Sequence, residues 1–126
     1  MIVRAWVGVF ILVFCGSFSA NGTASNKVAD TEINYLIQAV GDSGCNFLRN
    51  GTEHSPKDAE SHMRLKYKNG KRWAGSAEQF IERLATKSSW TGKPYYLLCK
   101  GKQPQLSSTW MTDQLSAYRA SKNKPL

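Results

Sequence analysis

Residues 30–40 read Asp-Thr-Glu-Ile-Asn-Tyr-Leu-Ile-Gln-Ala-Val. Ile33, Leu36, Ile37 and Val40 fall at i, i+3, i+4 and i+7, the apolar stripe of a helix that lays one face on a core. Asp30 or Thr31 suits its N-cap, and Gly41 or Gly44 its end. Cys45 follows at once, so a bridge made by that cysteine would tie down the end of this helix.

Downstream the same signature recurs between breakers. Residues 45–54 (CNFLRNGTEH) carry an Asn50-Gly51 turn signal and read as a connector. Ser55 can cap a second helix, Pro56 suits its first position, and Asp58 stands where a capping-box acid reaches back. Ala59, Met63 and Tyr67 form its apolar line, and Asn69-Gly70 suggests a left-handed stop. Ser76 with Gln79 opens a third helix whose buried face is Ala77, Phe80, Ile81 and Leu84. Residues 88–94 (SSWTGKP) are a polar loop, residues 95–99 (YYLLC) a short β-prone segment, and residues 100–105 a turn. A fourth helix spans residues 109–118, with Trp110, Met111, Leu115 and Tyr118 toward the core, before a basic tail over residues 121–126. The predicted fold class is mainly α: about four short helices plus one short extended segment, closed by a disulfide.

Upstream, residues 1–24 read as an address. Met1 to Arg4 carry one positive charge, residues 5–14 (AWVGVFILVF) are almost wholly apolar, and residues 15–24 turn small and polar. That is the pattern of a cleaved secretory signal, and the apolar run is short against the roughly 20 residues that span a bilayer. Cleavage after Ala24 puts Gly22 and Ala24 at the small-residue positions, whereas cleavage after Ala20 would put Phe18 there. A lipoprotein signal asks for a small residue before its cysteine, and Phe14 precedes Cys15. The expectation is export to the periplasm of one small globular domain, residues 25–126 with an ordered core over about 30–119, and no transmembrane span after cleavage.

Cleavage removes Arg4 and no acid, so the net charge of +8 becomes +7. A basic surface favours lipid phosphates, cell-wall polymers or an acidic protein face, and export argues against nucleic acid. Cys15 leaves with the signal, and Cys45 and Cys99 remain where thiols oxidise. A bridge between them closes a loop of about 54 residues, worth roughly 4 kcal/mol in the chain-entropy model. Two free buried thiols, or a thiol nucleophile served by His54 or His62, are the alternatives.

A set of motifs occurs in order along the chain: Thr31-Glu32-Ile33, Ser43-Gly44-Cys45, Arg49-Asn50-Gly51-Thr52-Glu53-His54, His62, Lys66-Tyr67, Ala77-Glu78, Phe80-Ile81, Ser88-Ser89, Thr91-Gly92, Pro94-Tyr95 and Cys99. In these the sequence resembles the YfeK-like family of small exported proteins from Gram-negative bacteria, a domain of unknown function. The resemblance covers residues 31–119. It implies a periplasmic location and a single domain, and supplies no activity or substrate.

Three constellations carry possible chemistry. Glu53 and His54, with His62, offer an acid beside imidazoles for acid–base work, although adjacent residues rarely aim at one point. The spacing of the histidines matches no helical zinc pair, and no metal or cofactor site is read. The bland reading is that both histidines satisfy buried carbonyls. Ser88, Ser89, Thr91, Lys93 and Tyr95 surround Gly92 in a loop that can cradle an anion, or can simply cap its neighbours. The phosphate-loop spacing is absent from it. Arg64, Lys66, Lys68, Lys71 and Arg72, followed by Trp73, form a basic helix end that can grip an anionic polymer or headgroup, or can be a solvated face. Trp73 and Trp90 are candidate platforms for a sugar or partner.

The leading functional expectation is a non-enzymatic periplasmic binding or accessory protein for an anionic envelope component or a protein partner. The ligand-binding candidates are Arg64, Arg72, Trp73, Ser88, Ser89, Thr91, Lys93 and Tyr95. The alternative is a small periplasmic hydrolase using His54, Glu53 and His62. A purely structural subunit is the third reading.

Overall fold

Ile33, Leu36 and Ile37 are wholly buried and Val40 is 1% exposed, so the stripe that opens the argument is the floor of the core. A computed structural model describes residues 21–125. In it the first helix, α1 (Asn21–Asp42), begins well before residue 30. Asp30 therefore does not cap it. Its carboxylate reaches across to the Tyr67 hydroxyl at 2.7 Å and the Lys71 ammonium at 3.0 Å. The leader expected over residues 1–24 lies outside the described residues except for its last four, which are helical, so the expected cut falls inside α1. Among the residues whose burial is described, the most N-terminal in the buried cluster is Ala29, five residues beyond that cut.

The connector expected at residues 45–54 is instead a β-hairpin of β1 (Asn46–Arg49) and β2 (Thr52–His54). Asn50 and Gly51 have φ of 51° and 78°. Two left-handed residues in a row give the turn whose twist matches a hairpin, so the Asn-Gly signal ends two strands rather than a loop. β3 (Tyr96–Leu98) pairs antiparallel with β1, and β4 (Gln105–Leu106) with β3. The sheet order is β2-β1-β3-β4, so the single extended segment of the sequence reading becomes one strand of four. Phe47 opposes Leu97 in the register, and both are about 1% exposed. They define the inner face of the sheet, against which Tyr95 sets its ring 5.3 Å from that of Phe47.

The second helix, α2 (Pro56–Gly70), starts as the sequence predicts. The Ser55 hydroxyl accepts from the Asp58 amide at 3.2 Å, and Pro56 occupies the first turn. Gly70 is not the left-handed stop expected of it, because its φ is −110° and the chain continues into a 3-10 turn, Lys71–Trp73. Close packing explains this glycine, since a Cβ there would stand 2.8 Å from Leu84 Cδ2. The third helix, α3 (Ala77–Phe80), is capped by Ser76 and runs into a π-helical turn, Ile81–Ala85. Gln79 reaches back to the Gly75 amide, one residue before the position a capping box would use. The fourth helix, α4 (Ser107–Lys122), sends Met111 and Leu115 into the core, while Trp110 and Tyr118 are half-buried at its border.

Cys45 and Cys99 are bonded, with Cα atoms 4.4 Å apart. The bridge flanks the Asn46–Leu98 pair, so it joins the end of α1 to the end of β3 and leaves neither thiol free. No helix among the described residues is long and apolar enough to cross a membrane.

Candidate functional site

Alternation along β1 decides which side chains face α2. Arg49 lies two residues after Phe47, so it shares the inner face, and it meets α2 at His62. Along α2, His62, Leu65, Lys66 and Asn69 recur at i, i+3, i+4 and i+7, and Trp73 continues the line in the following turn. This face, Arg49 and the loop before β3 enclose a cleft of about 440 Å³. Its lining includes Asn50, Ser88, Ser89, Trp90 and Tyr95.

The cleft is cationic. An Arg49 guanidinium nitrogen lies 2.5 Å from His62 Nδ1. The Lys66 ammonium donates to the Tyr95 hydroxyl at 3.1 Å and to the Lys87 carbonyl at 3.2 Å, and sits 4.9 Å from the centre of the Tyr95 ring. Burial lowers the Lys66 pKa to about 8, with the Arg49 charge adding to the effect. Burial also lowers His62 to about 4, helped by Arg49, Lys66 and His54. His62 is therefore neutral at pH 7. Tyr95 is raised by burial, so its hydroxyl stays protonated there. Among the described residues, no aspartate or glutamate lines the cleft.

The rim loop is held by its own hydrogen bonds. The buried Ser88 hydroxyl accepts from the Trp90 and Thr91 amides at 3.2 and 3.3 Å and from Asn50 Nδ2 at 3.3 Å. Thr91 Oγ1 donates to Asn50 Oδ1 and accepts from the Lys93 amide. The Gly92 amide donates to the Ser88 carbonyl. The Ser88 and Thr91 hydroxyls and the Trp90, Thr91, Gly92 and Lys93 amides are thus engaged within the loop or with Asn50. What the loop presents is Trp90, 96% exposed.

The sequence candidates divide accordingly. His62, Trp73, Ser88, Ser89 and Tyr95 line one cleft. Arg72 stands over the Trp73 ring at 4.0 Å and so flanks the rim. Thr91 and Lys93 belong to the rim loop but are not in the lining. Arg64 is elsewhere, bonded to Glu60 and Asn34. The acid–base trio does not assemble: His54 pairs with Phe47 and shares the inner face, whereas Glu53 pairs with Leu48 and faces away, accepting from Asn46. Among the described residues no cluster of three His, Cys, Asp or Glu side chains could hold a metal ion.

Arg49 was absent from the ligand-binding candidates, and among the constellations Lys66 figured as one charge in a run, although both lie in motifs of the family resemblance. A signal for Lys66 was present, since His62, Lys66 and Asn69 share one helical face. Nothing local marks Arg49, whose role depends on a strand pairing.

Residues 27–119 match a family described as a family of unknown function, DUF5329. The uncharacterized protein YfeK of Salmonella typhimurium is 41% identical over 71 residues, which is 56% of this chain and 59% of that relative. The match thus spans less than two thirds of the relative's length. No solved structure matches. The region matched by the family contains both bridged cysteines and every residue of the cleft. The likeness drawn from the motifs therefore holds, and the chain belongs to the DUF5329 family.

Proposed function

We propose that the protein is a non-enzymatic binding or accessory protein of the cell envelope that takes an anionic group into the cleft between α2 and the 88–94 loop. The observation that carries this reading is the pair Arg49 and Lys66, two neighbouring cations in a cleft with no carboxylate side chain among the described residues of its lining. Like charges held together in a partly dry site repel one another, and an incoming anion relieves that cost. Lys66 is already aimed by two oxygen acceptors, so little ordering remains to oppose binding. Export, read from residues 1–24, would bring the site to the periplasm, where phosphate-bearing and carboxylate-bearing envelope components supply such groups.

The test is calorimetric titration of the purified protein with glycerol 3-phosphate and with glucuronate. Binding that weakens about tenfold or more in Arg49→Met and in Lys66→Met, while Arg64→Met binds as the wild type does, supports the reading. Binding indifferent to both cleft substitutions removes it.

A further inference from the structure

The apolar side chains around the cleft are arranged in an unusual order. Ligand pockets are commonly lined by apolar and aromatic side chains, with a small number of placed polar groups that fix orientation. Here the enclosed part holds Arg49, Lys66 and the Tyr95 hydroxyl, while the lining also includes three exposed apolar side chains: Leu65 at 55% exposure, Trp73 at 47% and Trp90 at 96%. They are three of the five large apolar side chains that are exposed among the described residues. Single exposed apolar residues need no explanation, but a cluster around one opening does.

That order matches a surface that is charged where the ligand's head sits and apolar around it. Resting on the reading of the cleft as an anion site, we infer that its ligand is the phosphate headgroup of an anionic lipid still in its bilayer, with Leu65, Trp73 and Trp90 seated in the interfacial layer around it. Tryptophan is the residue best suited to that layer, where its ring is apolar and its N–H stays wet. The 88–94 loop is fastened through Ser88, Asn50 and Thr91, so Trp90 is presented by a braced turn and not by a loose one. Cations accompany the apolar groups. Arg72 lies over Trp73, and Lys93 belongs to the turn that carries Trp90. Near an anionic leaflet such cations add attraction, and their stems can lie along apolar surface while the charges reach phosphate. A soluble anion would account for Arg49 and Lys66 but would leave the three apolar side chains in water.

The experiment compares one chemistry in two forms. The full-length mature chain is floated with vesicles of phosphatidylglycerol and phosphatidylethanolamine, and with vesicles of phosphatidylcholine alone. Glycerol 3-phosphate binding is measured in parallel. The expected result is partitioning onto the anionic vesicles that falls as salt rises, with a blue shift of tryptophan emission. Trp90→Ala and Leu65→Gln should each lower the ratio of vesicle affinity to glycerol 3-phosphate affinity by about tenfold. Arg49→Met should lower both affinities together. Binding of glycerol 3-phosphate without partitioning, binding of soluble glucuronate with no preference for anionic vesicles, or a ratio unmoved by Trp90→Ala overturns the bilayer inference and leaves the anion site standing. Failure to bind either form overturns both.

Discussion

Arg49 meets His62 from the neighbouring strand, with its guanidinium nitrogen 2.5 Å from Nδ1. A guanidinium can only donate, so Nδ1 accepts and the imidazole proton resides on Nε2. Nε2 is itself buried without a hydrogen-bond partner among the described residues. The ring is therefore held neutral by burial first and by contact with a cation second, and its pKa falls to about 4 from an ordinary 6.5. Between those values the unfolded chain binds a proton that the folded chain refuses. Stability contributed here is complete above about pH 6.5, declines as pH drops, and levels off below about pH 4. Thermal unfolding from pH 7 to pH 4 should show a steeper loss of Tm in the wild type than in His62→Gln, whose amide oxygen can still accept from Arg49.

Lys66 gives the opposite side of the pH scale. Its pKa is lowered to about 8, so the unliganded cleft loses a charge as pH rises past that value. Affinity for glycerol 3-phosphate should decline about three- to tenfold between pH 7 and pH 9. Lys66→Arg keeps its charge at both pH values and should flatten the decline, as calorimetry at the two pH values would show.

The bridge joins residues 54 apart in sequence. Replacing both cysteines by alanine should lower unfolding free energy by roughly 2–5 kcal/mol. Denaturant unfolding of the oxidised wild type against the double variant measures this directly.

Glu32 and Arg119 make the fourth prediction. Arg119 donates to both oxygens of Glu32, at 2.6 and 2.8 Å, and to Glu78 as well. Glu32 is 8% exposed, whereas the Glu78 side chain is 58% exposed. Arg119→Met strands a nearly buried carboxylate and should cost about 1–3 kcal/mol. Glu78→Gln removes only the exposed arm and should cost well under 1 kcal/mol.

The helices were legible because α1, α2 and α4 carry several turns each, and α3 shows its period together with the π turn that continues it. Ile33, Leu36, Ile37 and Val40 mark α1, and serines at 55 and 76 punctuate the next two helices. The hairpin was not. β1 buries one residue, Phe47, and β2 buries none, so period-two alternation has nothing to repeat. The Asn50-Gly51 signal was visible, but a turn alone does not say what flanks it. The start of α1 suffered the reverse fault. Asp30 looks like a cap because it is an acid before an apolar stripe, yet its charge is spent on Tyr67 and Lys71, and only the packing of α2 on α1 reveals that. The cleft was half legible. Trp73, Ser88, Ser89 and Tyr95 stood out by type, while Arg49 gained meaning only when β1 paired between β2 and β3.

The pairing of β1 with β3 also sets the order in which the chain can assemble. The β1–β2 hairpin closes over two residues, whereas Asn46 finds Leu98 only after the intervening helices have been gathered. Distant pairing of this kind is the slow part of folding, because loop entropy is lost before contacts compensate. Once Cys45 and Cys99 are joined, that search becomes as local as the hairpin's. The oxidised chain should therefore refold markedly faster than the reduced one, and a chain kept reduced would linger with its central strand unpaired on one side.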